Sequence, residues 1–465
     1  MPGRSGTVSV LRVETSQGVD TEFDRVMSQL LMRWPESRID PSLERISALL
    51  DLLGQPQLAM PIIQVTGTNG KSSTARMIAS LLGAMGLRTG LYTSPHLNSA
   101  TERIEIDGQS VSEAEFVRIW NDIAPFVAML DEPRTDESSA HARTPLSFFE
   151  VLTAMAYSAF ADAPVDVAVV EVGMGGRWDA TSVAPAQVAV VLPIDLDHTD
   201  YLGDTTVDIA REKAAIIAPQ GAAVIASQSP EVATVINARI ADVSAVGYWE
   251  ESAFEVVERD IAVGGQLLTI RGTAATYADV FLPVFGEHQA HNFACAISAV
   301  EVFLGGRSLD GAVVEEGVAE VTTPGRLEIV RRGPTVVVDA AHNPAGARAL
   351  AAAITESFAF SYVVGVIAVL ADKDVRGILI PLADVFDEVV VTRNHSPRCL
   401  DVDDLAAAAV EIFGADCVEI ADSFADAIDT AVRLAEEADT YAASGIVVTG
   451  SVVTAGQARA LMVRS

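Results

Sequence analysis

One stretch limits the folds open to this chain more than any other: PIIQVTGTNGKSST, residues 61–74, an apolar run that stops at a glycine turn and restarts as a helix-like sequence. A short apolar run with little alternation suits a strand buried on both faces, as in parallel sheets. Residues 72–85 then carry Ala and Leu at helical spacing, and a second strand is expected over 88–93. Strand, glycine turn, helix and strand in this order open an α/β fold with a parallel sheet. Further strands are expected at 165–172 and 187–192, after helical patterns at 112–130 and 146–160, and the polar segment 131–144 reads as a surface loop. A second alternation follows TTPGR, 322–326: strands at 335–339, 362–369, 388–392 and 445–449, with helices from Pro344 and near Asp401 and Ser423. Pro324 and Gly325 interrupt the chain between the two alternations, so two domains are expected, 1–322 and 323–465.

The glycine turn lies where a phosphate loop must lie, between strand and helix. Gly67 and Gly70, with Thr68 and Asn69 between them, can turn backbone N–H groups toward phosphate oxygens, and Lys71 can reach the β and γ phosphates of a nucleotide. Ser72 or Ser73 would offer a hydroxyl to Mg2+. Val65 stands where G-x-x-x-x-G-K-[ST] has its first glycine, so the match is incomplete and a plain turn stays open.

Three later segments place reactive side chains at strand ends, where open α/β sheets gather their ligands. EVGMGGRWDATS, 171–182, puts Glu171 at the end of the apolar run VDVAVV; an ordinary strand-end carboxylate is the alternative, weakened by Gly173, Gly175 and Gly176, which allow close backbone approach. DLDHTDYLGDTTVDIAREKA, 195–214, puts His198 in a loop as a candidate metal ligand and Lys213 on the following helix. On its residues alone Lys213 is expected to be a solvated helical charge. VVVDAAHNPAG, 336–346, puts Asp339 where it can bond a ribose hydroxyl and His342 where it can orient a reacting group, unless His342 and Asn343 only cap the next helix.

Composition removes several function classes. The chain carries 31 Lys and Arg against 63 Asp and Glu, a formal charge of −32, which repels a nucleic-acid backbone and obliges any anionic ligand to rely on local cations or metal. The apolar runs are too short to span a bilayer, and the first twenty residues lack the apolar core of a secretory signal. Three scattered cysteines, Cys295, Cys399 and Cys417, suit a reducing compartment. A cytoplasmic monomer acting on small molecules, without nucleic-acid or membrane partners, is expected.

Together, IDPSLERI, TGTNGKSST, YTSPHL, SFFEVLTAMA, VVEVGMGGRWDAT, DLDHTDYLGDT, REKAAII, PGRLE, DAAHNPAG, ADKD and TGS, in this order, resemble the folylpolyglutamate synthase and dihydrofolate synthase family, relatives of the Mur ligases. The resemblance implies an N-terminal ATPase domain with a phosphate loop and a largely parallel sheet, and a smaller Rossmann-like C-terminal domain, with substrates meeting between them. It implies ATP and two Mg2+ ions as cofactors, Ser94, Glu171 and His198 as Mg2+ ligands, a carbamylated Lys213 and a monovalent cation. It further implies ATP contacts from Asn292, Arg326 and Asp339, and positions near the glutamate for His342 and Ser451. The pterin substrate would be met by Asp40, Pro41 and Ser42, by Ser147, Phe148, Phe149 and Glu150, and by Trp178, Asp179 and Ala180. Two departures stand out: Ser72 where glycine commonly follows the lysine, and the large Trp178 where smaller aliphatics are common.

The reaction so implied is ATP-dependent addition of L-glutamate to dihydropteroate and to reduced folates through an acyl phosphate, with IDPSLER favouring both activities in one chain. Two rivals remain. A peptidoglycan-type Mur ligase would carry a nucleotide-sugar domain before the phosphate loop, where only 66 residues precede Gly67. A phosphate-loop switch would hydrolyse ATP without needing glutamate or folate.

Overall fold

The structure is a computed structural model that describes residues 21–35, 40–132, 144–319, 321–438 and 443–462. Most of the polar loop expected at 131–144 lies outside the described residues, as does the N-terminal segment to residue 20. Eight strands form the first sheet: β1 (Ile62–Thr66), β2 (Thr89–Tyr92), β3 (Ile104–Ile106), β4 (Gln109–Ser110), β5 (Val167–Glu171), β6 (Val188–Val191), β7 (Ala222–Ile225) and β8 (Val246–Trp249). Their order is β4-β3-β2-β5-β1-β6-β7-β8, parallel from β2 to β8 with an antiparallel hairpin at the β3–β4 edge.

β1 lies at the centre and is buried along its whole length, which is why its sequence does not alternate. Its two buried polar residues are both bonded: Gln64 donates to the hydroxyls of Thr181 and Ser182 at 2.9 and 3.2 Å, and Thr66 to Gly175 O at 3.1 Å. The helix Lys71–Ala84 covers one face of the sheet and packs beside the helix Glu287–Phe303, which lies on β6 and β7 with Phe293 and Ile297 fully buried. The helix Phe148–Asp162 covers the other face and packs beside Glu44–Leu52 and Glu113–Asp131.

Residues 222–322, left without strands by the sequence reading, hold β7, β8 and a three-stranded antiparallel sheet, β9 (Glu255–Ala262), β10 (Gly265–Arg271) and β11 (Thr276–Leu282). β9 is half exposed along both faces, so neither an apolar run nor a clean alternation marks it.

The third sheet contains β12 (Glu328–Arg332), β13 (Thr335–Val338), β14 (Tyr362–Ile367), β15 (Glu388–Val391), β16 (Val418–Ile420) and β17 (Ser444–Thr449), in the order β12-β13-β17-β14-β15-β16. All pairs are parallel except β12 with β13. Helices on both faces complete a doubly wound lobe, as the alternation after residue 326 predicts. Among the described residues no helix is long and apolar enough to cross a membrane.

Candidate active site

The carboxyl ends of β1, β2, β5, β6 and β7 converge with those of β13 and β17 on one cleft. The phosphate loop leaves β1 through Gly67, at φ +152°, where a Cβ would stand 2.6 Å from the Cβ of Leu192 at the exit of β6. Gly70, at φ +83°, caps the next helix, and a Cβ there would meet the side chain of Asn292 at 2.6 Å. Only glycine lets the loop run this close to both neighbours. Thr68 fastens it further, its hydroxyl donating to Asp195 O and accepting from Asp195 N, both at 2.9 Å.

The loop lines a cavity of about 540 Å³ together with Glu171, Asp195, Asp197, His198, Asn292, Arg326, Asp339 and His342. Lys71 Nζ lies in its floor and donates to the carbonyls of Gly67 and Thr68 at 3.1 and 3.0 Å. Burial pushes its pKa down, against the raising effect of Glu171 and Asp197. Glu171 is displaced the other way, raised by burial although Lys71 and two hydrogen bonds oppose the rise: Ser72 Oγ donates to Oε1 at 2.9 Å and Ser94 N to Oε2 at 3.2 Å. Ser73 points elsewhere, buried and accepting from Gln289 Nε2 at 3.3 Å, so Ser72 is the hydroxyl beside Glu171.

Lys213 is not a solvated helical charge. It is 5% exposed, and its Nζ donates to Gly67 O at 2.7 Å. Burial, reinforced by the charge of Lys71, pulls its pKa down to about 7, against the pull of Asp197 and Asp179. The reading from the residues alone fails here, though the family resemblance reverses it, because helical periodicity counts any lysine as surface while the contact that buries this one is with a loop 146 residues away.

His198 caps a four-residue helix, Thr199–Leu202, with φ +52°, and burial lowers its pKa to about 4, leaving a neutral imidazole. Beside it lies Asp197, which the sequence reading did not single out. Its carboxylate accepts from Lys373 Nζ at 2.8 Å and Asn343 Nδ2 at 3.2 Å, and stands 3.5 Å from His342 Nε2. Burial alone would raise its pKa, but the bond and charge of His342 with the charges of His198 and Lys373 hold it well below the carboxylate range. Asn343 also exchanges two side-chain hydrogen bonds of 3.1 Å with Asn69 of the phosphate loop while capping its own helix at Gly346 N. It therefore caps and bridges. His342 caps nothing: its Nδ1 donates to Ala340 O at 2.9 Å.

Asp339 accepts from Leu327 N at 3.0 Å and Ala341 N at 2.8 Å, holding the PGRLE turn against the end of β13. Asn292 donates to Gln289 Oε1 at 3.0 Å.

A second cavity of about 390 Å³ adjoins the first, sharing Ser94, Pro95, Gly173 and His198. Asp40, Ser42, Ser147, Phe149, Glu150, Trp178, Asp179 and Ala180 all line it. Ser147 and Glu150 form a capping box on their helix, while Arg45 binds Glu150 at 3.0 Å and Asp40 at 2.8 Å and stacks over Trp34. Of the remaining positions, Pro41 and Phe148 line neither cavity, and Ser451 is 1% exposed, bonded to Asn394 and Thr454 behind the cleft wall.

Residues 128–300 match the family model described as Mur ligase middle domain, and residues 325–451 match Mur ligase, glutamate ligase domain. The class that fold and site define is therefore a Mur-type ligase. The chain is 54% identical over 449 residues to the dihydrofolate synthase/folylpolyglutamate synthase of Mycobacterium tuberculosis, covering 93% of this chain and 92% of that one. It superposes with a TM-score of 0.91 on the folylpolyglutamate synthase of the same organism complexed with ADP, at 53% identity over 96% of this chain and 99% of that chain. A solved complex described as FPGS-AMPPCP-folate gives a TM-score of 0.81 at 30% identity, over 95% and 100% of the two chains. The chain belongs to the dihydrofolate synthase/folylpolyglutamate synthase family.

Proposed function

We infer that the protein is an ATP-dependent ligase that joins L-glutamate to dihydropteroate and to reduced folates. The observation that carries this is the adjacency of the two cavities: a phosphate-loop cavity and a partly aromatic one meet at Ser94, Gly173 and His198, so their occupants meet there too. A 30% identical relative solved with AMPPCP and folate supports the pairing of nucleotide and pterin.

In the reaction proposed, the substrate carboxylate attacks the γ-phosphorus of ATP, the bond to the β–γ bridging oxygen breaks, and ADP leaves an acyl phosphate. Lys71 and the loop N–H groups are placed to spread the charge that builds on the phosphoryl oxygens. The unprotonated amine of L-glutamate then attacks the acyl carbon, and the tetrahedral intermediate expels phosphate to leave an amide. The proton that the attacking amine loses passes to solvent, and His342, with Nδ1 donating to Ala340 O and Nε2 facing Asp197 at 3.5 Å, is placed to orient the reacting group.

Glu171, His198 and the hydroxyls of Ser72 and Ser94 fit a hard divalent cation that takes its other oxygens from phosphate and water. Among the described residues no three His, Cys, Asp or Glu side chains group closely enough to hold a metal without such help. Mg2+ held there, as a pair in this reading, would neutralise phosphate charge. A Lys213 amine with a pKa of about 7 is substantially neutral at physiological pH. Its attack on CO2, with loss of a proton, would form a carbamate and turn a buried cation into an anionic oxygen ligand. A monovalent cation completes the cofactors proposed.

The boundary between lobes is placed at 322/323, supported by the start of β12 at Glu328 and of the glutamate ligase model at 325. The protein is read as a cytoplasmic monomer, and the charge of −32 supports the exclusion of nucleic acid.

Phosphate release from ATP in the presence of Mg2+ tests the function, with L-glutamate present and dihydropteroate, a reduced folate or neither added. Release that requires both co-substrates, with one glutamate gained per product by mass spectrometry, is expected. Equal release without either, and no glutamylated product, would replace the ligase by a phosphate-loop switch.

A further inference from the structure

The two substrates proposed differ in charge as well as in size. Dihydropteroate has one carboxylate, the one that reacts. A glutamylated folate has the reacting carboxylate and at least one more, and a cavity that accepts it must place that second anion. The wall of the 390 Å³ cavity is hostile to it, with Asp40, Glu150, Asp179, Asp200 and Asp372 all in the lining. Among the described lining residues the Lys and Arg side chains are two, Arg45 and Arg398.

Arg45 is already paired with two carboxylates and buried. Its side chain is 5% exposed, its Nε and Nη1 are held by Glu150 and Asp40, and Nη2 donates to Asp40 O at 2.9 Å. Arg398 is built differently. Its guanidinium is 47% exposed and pairs with Asp372, itself 35% exposed, at 2.8 Å. An ion pair so open to solvent contributes little and exchanges partners at little cost. The backbone beneath it is firm: Arg398 O accepts from Ala371 N at 2.9 Å, and Leu370 bridges Cys399. A planar guanidinium on a fixed base, facing a cavity with one weakly held partner, suits bidentate capture of a carboxylate.

We propose that Arg398 reads the non-reacting carboxylate of a glutamylated substrate, with Asp372 as the partner that this carboxylate displaces. Both residues come from the second lobe, after β14 and β15, whereas the rest of the wall comes from the first 201 residues. The contact therefore distinguishes glutamylated folates from dihydropteroate and forms only where the second lobe meets the bound substrate. This rests on the assignment of the cavity to the pterin substrate.

The test compares two ligands that differ only in the glutamate, pteroate and pteroylglutamate, by calorimetric titration of the full protein with ADP and Mg2+ present. Arg398→Ala is expected to weaken pteroylglutamate about tenfold, the loss of one charge-assisted contact, and to leave the Kd of pteroate within about twofold. Asp372→Asn, which frees the guanidinium, is expected to tighten pteroylglutamate alone. Equal weakening of both ligands, or no change in either, would overturn the assignment. So would a rise in the KM for L-glutamate with both Kd values unchanged, which would give Arg398 to the incoming amino acid. Failure of the unaltered protein to bind either ligand would instead overturn the pterin reading of the cavity.

Discussion

Both large sheets present the carboxyl ends of parallel strands to the same cleft, yet they arm those ends differently. In the first lobe, the half-buried Lys71 and the buried Glu171 and Lys213 are held by partners within that lobe, the carbonyl of Gly67 receiving both lysines. In the second, Lys373, His342 and Asn343 find their partner across the cleft in Asp197, and Arg398 faces a shared cavity from a half-exposed position. The difference teaches a division of labour. The half proposed to handle phosphate is held together within its own lobe, with shifted pKa values at Lys71, Glu171 and Lys213, whereas the half proposed to meet the second substrate takes its geometry from contact between lobes.

The largest effect expected from breaking this asymmetry is in the preassembled half. Lys71→Ala should lower kcat by about 10²–10³-fold or more, measured as glutamate-dependent phosphate release, with the thermal melt little changed. Lys213→Arg, which keeps the charge but cannot lose its proton, should lower kcat by about 10²-fold.

The pH dependence of Lys213 has a definite sign. Its folded pKa, near 7, lies below the usual lysine value of 10.5, so the amine is protonated and unreactive below about pH 7 and free to attack CO2 above it. In buffer stripped of CO2, activity should fall, and bicarbonate should restore it above pH 7 and fail to do so well below. Restoration equal at all pH values would contradict the carbamate. Between pH 7 and 10.5 an unmodified Lys213 binds a proton in the unfolded but not the folded chain, so its contribution makes stability rise with pH over that window.

Asp197 tests the junction itself. Asp197→Asn leaves Lys373, 8% exposed, without its counter-charge. It should cost about 3 kcal/mol in urea unfolding and lower kcat by about tenfold, with Lys373→Met recovering the stability but not the rate. The smallest contrast lies one residue apart in the phosphate loop. Ser72→Ala should reduce kcat about tenfold and Ser73→Ala less than about twofold, because Ser72 faces Glu171 and Ser73 faces Gln289.

The same asymmetry decides what could be read from the residues alone. Strands β1, β5, β6, β13, β14 and β17 are buried on both faces and announce themselves as apolar runs, and Lys71, Glu171, His198 and Asp339 stand at or just beyond strand ends, where local pattern suffices. Lys213 reads as a surface charge on its residues alone and takes a role only from the family resemblance, while Asp197 and Lys373 lie in segments singled out for other residues; their contacts span 146 and 176 positions that no local pattern encodes. Arg398 follows a strand as His198 does. It went unnoticed because an exposed arginine after a turn is ordinary until the topology sets it beside Trp178 and Asp179 in one cavity wall.

The most direct test of the two-lobe ligase uses dihydropteroate with heavy oxygen in its carboxylate, L-glutamate and ATP in ordinary water, followed by mass analysis of the phosphate released. An acyl phosphate formed at the junction of the cavities transfers one labelled oxygen to phosphate in each turnover. Phosphate released without label, while ATP is consumed, would mean that water rather than the carboxylate attacks the nucleotide, and would contradict the account.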